Sequence, residues 1–461
     1  MRKLEKRAIL CLVLAGILFV GVGIYSYRVV RYGGDWVSFQ NNQDVYTNGY
    51  IAKGAIYDVN GKILLQNNKT GTPKYNSSLA IRKATLHTVG DSVGNIATGA
   101  NRVFADKLVG YNLLSGTFST SDKGRQLYLT IDSKICAAAN SALAGRKGCV
   151  GVYNYKTGDI ICMVSSPNYD PEDPPKNADT DENSGIYMNK LLNATVVPGS
   201  IFKVITSTAA IEKLGDINSW SYYCTGTHKY GTYSSDKVTC TEPHGYVNFK
   251  SALAKSCNCG FADITLRLGM DTLKEYVKKS GLTTSYSVNG IRTTPSSFEF
   301  PSSKVTEAWT GIGQYKDLVN PCSMMVYMGA VANGGKSVEP KIISSLKFSN
   351  GMPADFDWTS KTDELIKAST AKKLRSMLRN DVISNYGQAN FPGLKLYAKS
   401  GTAELGNGKQ PHSWFTGFIK NPGYPYAFIV LVENGGWGSE TAGGVANTVL
   451  QKVVATDPSD N

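Results

Sequence analysis

Histidine is scarce in this sequence. Four histidines occur among 461 residues, and none of them forms a recognisable motif with a cysteine. A cysteine nucleophile needs a histidine base beside it, so this scarcity argues against a thiol enzyme. RNP-like, zinc-finger and helix-turn-helix patterns are absent as well, which argues against nucleic-acid binding. No internal repeat or coiled-coil heptad is evident, so nothing indicates a solenoid or a coiled coil.

Long uncharged runs are also scarce, and the stretch at 8–27 is the exception. Four basic residues precede it and two follow it. About 20 apolar residues cross the hydrocarbon core of a bilayer as a helix. The pattern therefore predicts a cytoplasmic tail at 1–7 and one transmembrane helix at 8–27.

The charge around this stretch predicts its orientation. The basic cluster before the span places the N-terminus inside the cell and the chain from about residue 30 outside it. The alternative is a cleaved signal peptide, because Gly21, Val22 and Gly23 form an acceptable small-x-small site. Either way the main body is exported. It carries +8 of the net charge of +13, a modest excess that suits an anionic cell envelope.

The composition after the span changes near residue 126. A chain of this length, 42% hydrophobic, can form two or three domains with real cores. The segment 28–125 is rich in Gly, Asn, Thr and Ser, which predicts short strands and loops rather than helices. Within it, 53–64 predicts two short strands around an Asn-Gly turn.

Strands and helices alternate after residue 126. A hairpin is predicted at 148–155 and 160–165, three further strands at 396–403, 413–419 and 426–433, and a final helix at 443–453. The middle, about 195–345, is mostly helical. This pattern predicts an α+β fold with two lobes: an antiparallel sheet with helical cover, and a mainly helical lobe across a cleft.

Ser200 and Lys203, in the run SIFK, place a hydroxyl and an amine one helical turn apart. Residues i and i+3 share one face of a helix, so a lysine made less basic by burial could serve as the base for the serine. The spacing alone is weak evidence, because an exposed helix face would show it too.

Two downstream motifs strengthen the interpretation of Ser200 and Lys203 as nucleophile and base. Ser256 and Asn258 lie in the run KSCNCGF, and KSGT occupies 399–402 at the end of a predicted strand. Alone, the first would fit a helix N-cap and the second a solvated lysine. In this order, S-x-x-K, S-x-N and K-[TS]-G are the signature of penicillin-binding proteins and serine β-lactamases. The chain resembles a class B penicillin-binding protein, a peptidoglycan D,D-transpeptidase.

The resemblance extends over about 126–455, including GIGQ at 311–314 and SWFTG at 413–417. The segment 53–64 is similar to the start of that family's pedestal domain, although Lys53 and Val59 stand where arginine is usual. The resemblance implies a short, β-rich pedestal or dimerisation-like domain at 28–125 and a transpeptidase domain at 126–461.

The resemblance also implies roles for the first two motifs. Ser200 would attack the carbonyl between the two terminal D-alanines of a stem peptide, with release of D-alanine. Lys203, in its neutral form, would accept the serine proton. Ser256 would relay a proton to the departing D-alanine, and Asn258 would bind the substrate amide.

The third motif would bind the substrate. Lys399 would supply positive charge for the terminal carboxylate, and Ser400 keeps the hydroxyl usual at its position. Gly401 would let the substrate lie close against the strand. Thr402 would offer its hydroxyl to the carboxylate and its N–H to the oxyanion. We expect inhibition by β-lactam antibiotics and no cofactor.

Two other functions share the motifs. A β-lactamase must hydrolyse the ester, and the E-x-x-N run of class A enzymes is absent between Asn258 and Lys399. A β-lactam sensor or inactive scaffold would show several spans or a missing motif residue. The 28–125 segment is too short for a glycosyltransferase, which implies a separate membrane polymerase of the SEDS type as partner. A role in cell shape, cell division or sporulation, and the acceptor residue, stay open.

The sequence contains nine cysteines, one of them in the predicted span. Cys224 and Cys240 bracket a polar loop and are the best candidates for a disulfide. Free thiols are an equal alternative. A third interpretation combines Cys224 and Cys240 with His228 and His244 as four zinc ligands.

Two more cysteines, Cys257 and Cys259, flank Asn258. We expect them to be small packed side chains. Neither is expected to be a nucleophile, because no histidine motif accompanies them.

Overall fold

The computed structural model describes residues 2–38, 54–67, 72–109, 111–112, 117–118, 124–176, 180, 183–354, 359–406 and 408–456. Lys53 lies outside the described residues. The α-helices are α1 (Arg2–Ser38), α2 (Leu79–Val89), α3 (Ala100–Val103), α4 (Ala105–Val109), α5 (Ser133–Leu143), α6 (Lys190–Asn193), α7 (Lys203–Lys213), α8 (Phe249–Ala254), α9 (Asn258–Leu268), α10 (Met270–Lys279), α11 (Lys304–Thr310), α12 (Pro321–Ala332), α13 (Ala368–Asp381) and α14 (Gly443–Val454).

The strands are β1 (Ala55–Tyr57), β2 (Ile63–Asn67), β3 (Pro73–Tyr75), β4 (Tyr111–Asn112), β5 (Thr117–Phe118), β6 (Gln126–Leu129), β7 (Gly148–Asn154), β8 (Ile160–Ser166), β9 (Ser221–Cys224), β10 (Thr227–Lys229), β11 (Lys237–Thr239), β12 (Gly245–Asn248), β13 (Ser287–Val288), β14 (Ile291–Arg292), β15 (Ile343–Lys347), β16 (Leu396–Ala403), β17 (His412–Ile419) and β18 (Tyr426–Val432).

Helix α1 contains the predicted span. Its segment Glu5–Val29 has a mean hydropathy of 2.7 and is long enough to cross a bilayer. The apolar side chains here are exposed, as expected for a helix that contacts lipid instead of protein; Phe19 is one example. This agrees with a single membrane anchor, and a signal sequence would have the same length and composition.

The first sheet has the strand order β15-β6-β1-β2-β3. The predicted hairpin is confirmed, since β1 and β2 pair antiparallel and the turn between them includes Gly61. Strand β6 pairs parallel with β1. The sheet therefore joins segments from both sides of the predicted boundary at 125/126, which stays a prediction.

The expectation of strands and loops without helices at 28–125 is wrong in part. Helices α2, α3 and α4 occupy much of 79–109, and α1 extends to Ser38. Helix α2 buries Ile81, Ala84 and Leu86, and it packs against α5 of the catalytic body. The polar composition of 28–125 as a whole suggested loops, although Leu79, Ala80 and Arg82 are good helix formers, and packing against α5 stabilises the helix.

The second sheet has the antiparallel order β16-β17-β18-β7-β8, as the two sets of strands in the sequence predicted. Every residue of β18 is buried, so both faces of the sheet are covered. Helix α12 packs on β17 and β18, whereas α5 and α14 pack on one another and on the sheet. The helices α7 to α11, with short two-stranded ribbons, form the other lobe.

Asp58 ties the first sheet to the start of α5. Its carboxylate accepts hydrogen bonds from the backbone N–H of Lys62 at 2.8 Å and from the Ser133 hydroxyl at 2.6 Å, and it is buried. The substitution Asp58→Ala leaves these donors unpaired, which costs about 2 kcal/mol. We expect the thermal unfolding midpoint of the full chain to fall by about 2 °C. Asp173→Ala, at an exposed position, is the control; equal midpoints for both variants would contradict the prediction.

Candidate active site

Ser200 lies in a 3₁₀ turn, Gly199–Phe202, that leads directly into α7. Gly199 has φ +55°, and its N–H donates to the carbonyl of Gly313 at 2.8 Å. A Cβ atom on Gly199 would lie 2.9 Å from the carbonyl oxygen of Thr402. The turn therefore requires glycine for both its conformation and its close approach to β16.

Gly401 makes room for the same turn from the strand side. A Cβ atom there would lie 2.8 Å from the carbonyl oxygen of Pro198 and 3.0 Å from Ile201. The sequence interpretation assigned this space to the substrate. The structure fills it with the Ser200 turn, so the missing side chain serves protein packing.

Lys203 brings the first two motifs together. It is fully buried, and its Nζ donates to Asn258 Oδ1 at 2.7 Å, to the Ser256 carbonyl at 2.6 Å and to Ser256 Oγ at 3.2 Å. An ammonium has three protons to donate, and these acceptors can take all of them. The lysine of S-x-x-K is thus held against S-x-N by direct contact.

Lys399 brings the third motif to the same hydroxyl. Its Nζ lies 3.2 Å from Ser256 Oγ and 3.1 Å from the carbonyl of Ser400, and the residue is fully buried. The alternative of a solvated lysine is therefore wrong. Ser256 Oγ lies between two lysine side chains, a position from which a hydroxyl can pass a proton between them.

The loop that carries Ser256 is held in an uncommon conformation. Ser256 has φ +53°, a left-handed backbone that is rare outside glycine. Asn258 anchors the loop through a 2.7 Å hydrogen bond from its Nδ2 to the carbonyl of Thr239. The N-cap of α9 is Cys257, so the reading of Ser256 and Asn258 as capping residues is wrong.

Ser400 and Thr402 are partly exposed on β16 and alternate with the buried Lys399 and Gly401. The hydroxyl of Tyr386 donates to Ser400 Oγ at 3.0 Å and accepts from the Ser400 N–H at 2.8 Å. The Thr402 hydroxyl accepts from the backbone N–H of Gly438 at 3.2 Å. The two hydroxyls thus occupy the face of the strand opposite to the lysine.

Burial sets the protonation of both lysines. Burial, and then the positive charge of Lys399, lowers the pKa of Lys203 to about 7. Burial lowers the pKa of Lys399 to about 8, and the Asp381 carboxylate opposes that shift. Near neutral pH the structure therefore supports one neutral amine and one ammonium around Ser256.

Asp381 and Tyr386 were not found from the sequence. Asp381 ends α13 and is buried, and its carboxylate oxygens accept no hydrogen bond from the described residues. Burial raises the pKa of Asp381 to about 7, against the attraction of the two lysines. Neither residue belongs to a spaced motif, so only the fold could show that they contact or face the third motif.

The cysteines form no disulfide within the described residues. All nine are free, and the sulfur atoms of Cys224 and Cys240 lie 3.7 Å apart. His228 contacts the Tyr222 hydroxyl instead of joining these cysteines. Cys257, expected to be a simple packed side chain, lies with Cys224, Cys240 and His244 in a cluster suited to a metal ion.

A protein-family model described as the penicillin-binding protein transpeptidase domain matches residues 148–455. Peptidoglycan D,D-transpeptidase PbpA of Mycobacterium tuberculosis is 25% identical over 382 residues, which cover 78% of this chain and 77% of that protein. Stage V sporulation protein D of Bacillus subtilis is 26% identical over 309 residues, which cover 61% of this chain and 44% of that protein.

The fold is also similar to solved structures. A ceftriaxone acyl-enzyme complex of penicillin-binding protein A from M. tuberculosis has a TM-score of 0.75 at 23% identity, covering 87% of this chain and 97% of that one. Penicillin-binding protein 2 of Pseudomonas aeruginosa has a TM-score of 0.73 at 21% identity, covering 88% and 96%. At these identities the likeness shows a common fold.

The two lysines predict a bell-shaped pH dependence. The base must be neutral, so the rate of serine acylation by a labelled penicillin should rise as pH increases through about 7, where Lys203 loses its proton. The rate should fall above about 8, where Lys399 loses its charge. Aliquots held at each pH and then assayed at neutral pH control for denaturation. A rate that stays constant across both pKa values would contradict the prediction.

Asp381 should set the upper limb of that profile. Asp381→Asn keeps the shape of the side chain but removes the carboxylate that favours the charged form of Lys399. We expect the falling limb to move to lower pH by about one unit. Asp363→Asn, at an exposed carboxylate, should leave the profile unchanged. An unshifted falling limb in Asp381→Asn would show that this carboxylate does not support Lys399.

Proposed function

We propose, from the premise that the chain belongs to the family of penicillin-binding protein transpeptidase domains, that it cross-links peptidoglycan through an acyl-enzyme on Ser200. The motifs predicted this family, and the chain is a class B penicillin-binding protein of the serine D,D-transpeptidase type. The observation that carries the proposal is that Lys203 and Lys399 both lie within hydrogen-bonding distance of the Ser256 hydroxyl. Of the two lysines, Lys203 is the one that follows Ser200 by one turn of the chain.

In the first step, neutral Lys203 takes the proton of the Ser200 hydroxyl. The serine oxygen attacks the carbonyl between the terminal D-alanines of a stem peptide, and an ester forms as the peptide bond breaks. The departing D-alanine amine receives a proton through Ser256. The backbone N–H groups of Ser200 and Thr402 stabilise the oxyanion, an interaction worth about 3 kcal/mol per donor.

The substrate carboxylate binds at β16. The side chains of Ser400 and Thr402 are partly exposed there, and the buried charge of Lys399 lies on the other face of the strand. Lys399 then acts chiefly through its field, which is strong because burial reduces solvent screening. Asn258 holds the amide of the substrate with the part of its side chain that Lys203 and Thr239 do not use.

An amine of a second stem peptide attacks the ester in the second step. This forms the cross-link and restores the Ser200 hydroxyl. β-Lactams acylate the same serine, and acyl-enzyme complexes are known for structural neighbours of this chain. Water as the acceptor would make the protein a β-lactamase, and a scaffold would not turn over. The intact motifs and the buried, less basic Lys203 support the transferase.

The apolar helix α1 supports a location in the cell membrane, with the N-terminus cytoplasmic and the catalytic body outside. Strands β1 to β3 and helices α2 to α4 lie in the chain between the anchor and the catalytic motifs. This placement suits the pedestal role that the sequence predicted, including contact with a SEDS-type glycan polymerase.

The nucleophile is tested with a fluorescent penicillin. Ser200→Ala should lose labelling by about a thousandfold or more, because no other group can form the ester. Ser219→Ala, an exposed serine outside the cleft, should label like the unchanged protein. If Ser200→Ala were labelled normally, another residue would be the nucleophile.

The lifetime of the label distinguishes the acceptors. We expect release over hours in the unchanged protein, because a transpeptidase excludes water as an acceptor. Release within minutes would identify a β-lactamase. Added D-amino-acid amines should then speed the release in a transpeptidase and give a stable amide product.

A further inference from the structure

Four side chains of metal-ligand type converge beside the catalytic loop. They are Cys224, Cys240, His244 and Cys257, and their ligand atoms all lie within 4.8 Å of one another. Cys224 ends β9, Cys240 follows β11, His244 precedes β12, and Cys257 is the N-cap of α9. Four separate segments of the helical lobe therefore meet at one point.

Three distances within this cluster match the edges of a tetrahedron around a metal ion, and the others are no longer than 4.8 Å. The sulfur of Cys240 lies 3.7 Å from that of Cys224 and 3.9 Å from that of Cys257, and Cys224 Sγ lies 3.6 Å from His244 Nδ1. Zinc bonds to sulfur and nitrogen imply tetrahedral edges of about 3.8 Å between sulfurs and about 3.6 Å between sulfur and nitrogen. A disulfide would require about 2.05 Å.

The surrounding backbone favours thiolates. The N–H of Cys259 points to Cys240 Sγ, and the N–H of Gly260 points to Cys257 Sγ, both at 3.3 Å. Such donors orient and stabilise metal-bound sulfur. Cys259 is a fifth nearby thiol, and its sulfur lies 3.6 Å from that of Cys240. It donates to the carbonyl of Val238 at 3.5 Å and is not one of the four residues whose ligand atoms all lie within 4.8 Å of one another.

We propose that Cys224, Cys240, His244 and Cys257 bind one Zn²⁺ ion in a structural, four-coordinate site. Each cysteine releases its thiol proton to solvent and binds as a thiolate, and neutral histidine binds through Nδ1. The site then carries a net charge of −1, and no oxidant or reductant is needed. All four positions come from protein, so the ion has no open position for substrate and is not a catalyst.

The site would hold the catalytic loop in place. Cys257 lies between Ser256 and Asn258, and Cys240 follows Thr239, whose carbonyl accepts the hydrogen bond from Asn258. The metal thus fixes both ends of the contact that presents Asn258 to Lys203. It also offsets the cost of the left-handed backbone at Ser256. The proposed metal site is a property separate from acyl transfer. Metal binding can therefore be measured without measuring enzyme activity.

Metal content tests the proposal directly. The full chain, purified in detergent with reductant and without chelator, should contain roughly one zinc ion by elemental mass spectrometry. Cys240→Ser and His244→Gln should fall below about a tenth of that content. The matched controls His228→Gln, in β10, and Cys322→Ala, buried in α12, should keep it. Cys259→Ser should keep it as well.

Other outcomes would overturn the site. One such outcome is that the unchanged protein takes up no zinc when zinc and reductant are supplied. Another is that these cysteines form a disulfide instead of binding zinc. A third is that Cys240→Ser keeps its full zinc content. If a variant fails to fold, X-ray absorption spectroscopy of the unchanged protein still identifies the ligands of the zinc ion. We expect three sulfurs at about 2.3 Å and one nitrogen at about 2.0 Å; any other ligand set would contradict the assignment.

A second measurement separates this site from the acyl-enzyme. Chelation should lower the thermal unfolding midpoint and slow penicillin labelling, and added zinc should restore both. Ser200→Ala should keep its zinc. In the unchanged protein, normal zinc content without any labelling would therefore count against the acyl-enzyme alone, and normal labelling without zinc would count against the metal site alone.

Discussion

The rest of the site depends on the buried amine of Lys203 and its contacts with polar partners. A lysine with no exposure keeps its amine in the protein interior only if polar partners surround it. Ser256 and Asn258 supply those partners, so burial and contact with the second motif are one event. Burial also lowers the pKa of the amine to about 7, which is the condition for a base at neutral pH.

The packing around this lysine explains why the third motif lies where it does. Gly199 and Gly401 let the nucleophile turn approach β16 so closely that a methyl group on either would contact backbone of the other element. Lys399 is then buried near Lys203, and its positive charge makes the charged form of Lys203 less favourable. Asp381 faces the pair from α13 and favours the charge on Lys399.

The sequence predicted the elements that have a strong local pattern. The strands at 396–403 and 426–433 and the hairpin at 148–165 appear where alternation and turns indicated them. Helix α2 was missed because the prediction used the polar composition of the whole 28–125 segment, although Leu79, Ala80 and Arg82 are good helix formers. The helix is also stabilised by packing on α5. Tyr386 was missed because its contact with Ser400 joins residues from different elements, which no spacing rule records.

The cysteines also show which features the sequence could predict and which depended on the fold. One of the three sequence interpretations combined Cys224 and Cys240 with His228 and His244 as zinc ligands, whereas the fold brings Cys257 from the catalytic loop to the cluster in place of His228. By itself the sequence determined the family, the three motifs, the hairpin and three-strand segments of the second sheet and the apolar anchor, because these depend on residue type and local spacing. Only the tertiary structure decided which amine is neutral, what Gly401 makes room for and which thiols meet, because burial and distance arise when separate segments pack together.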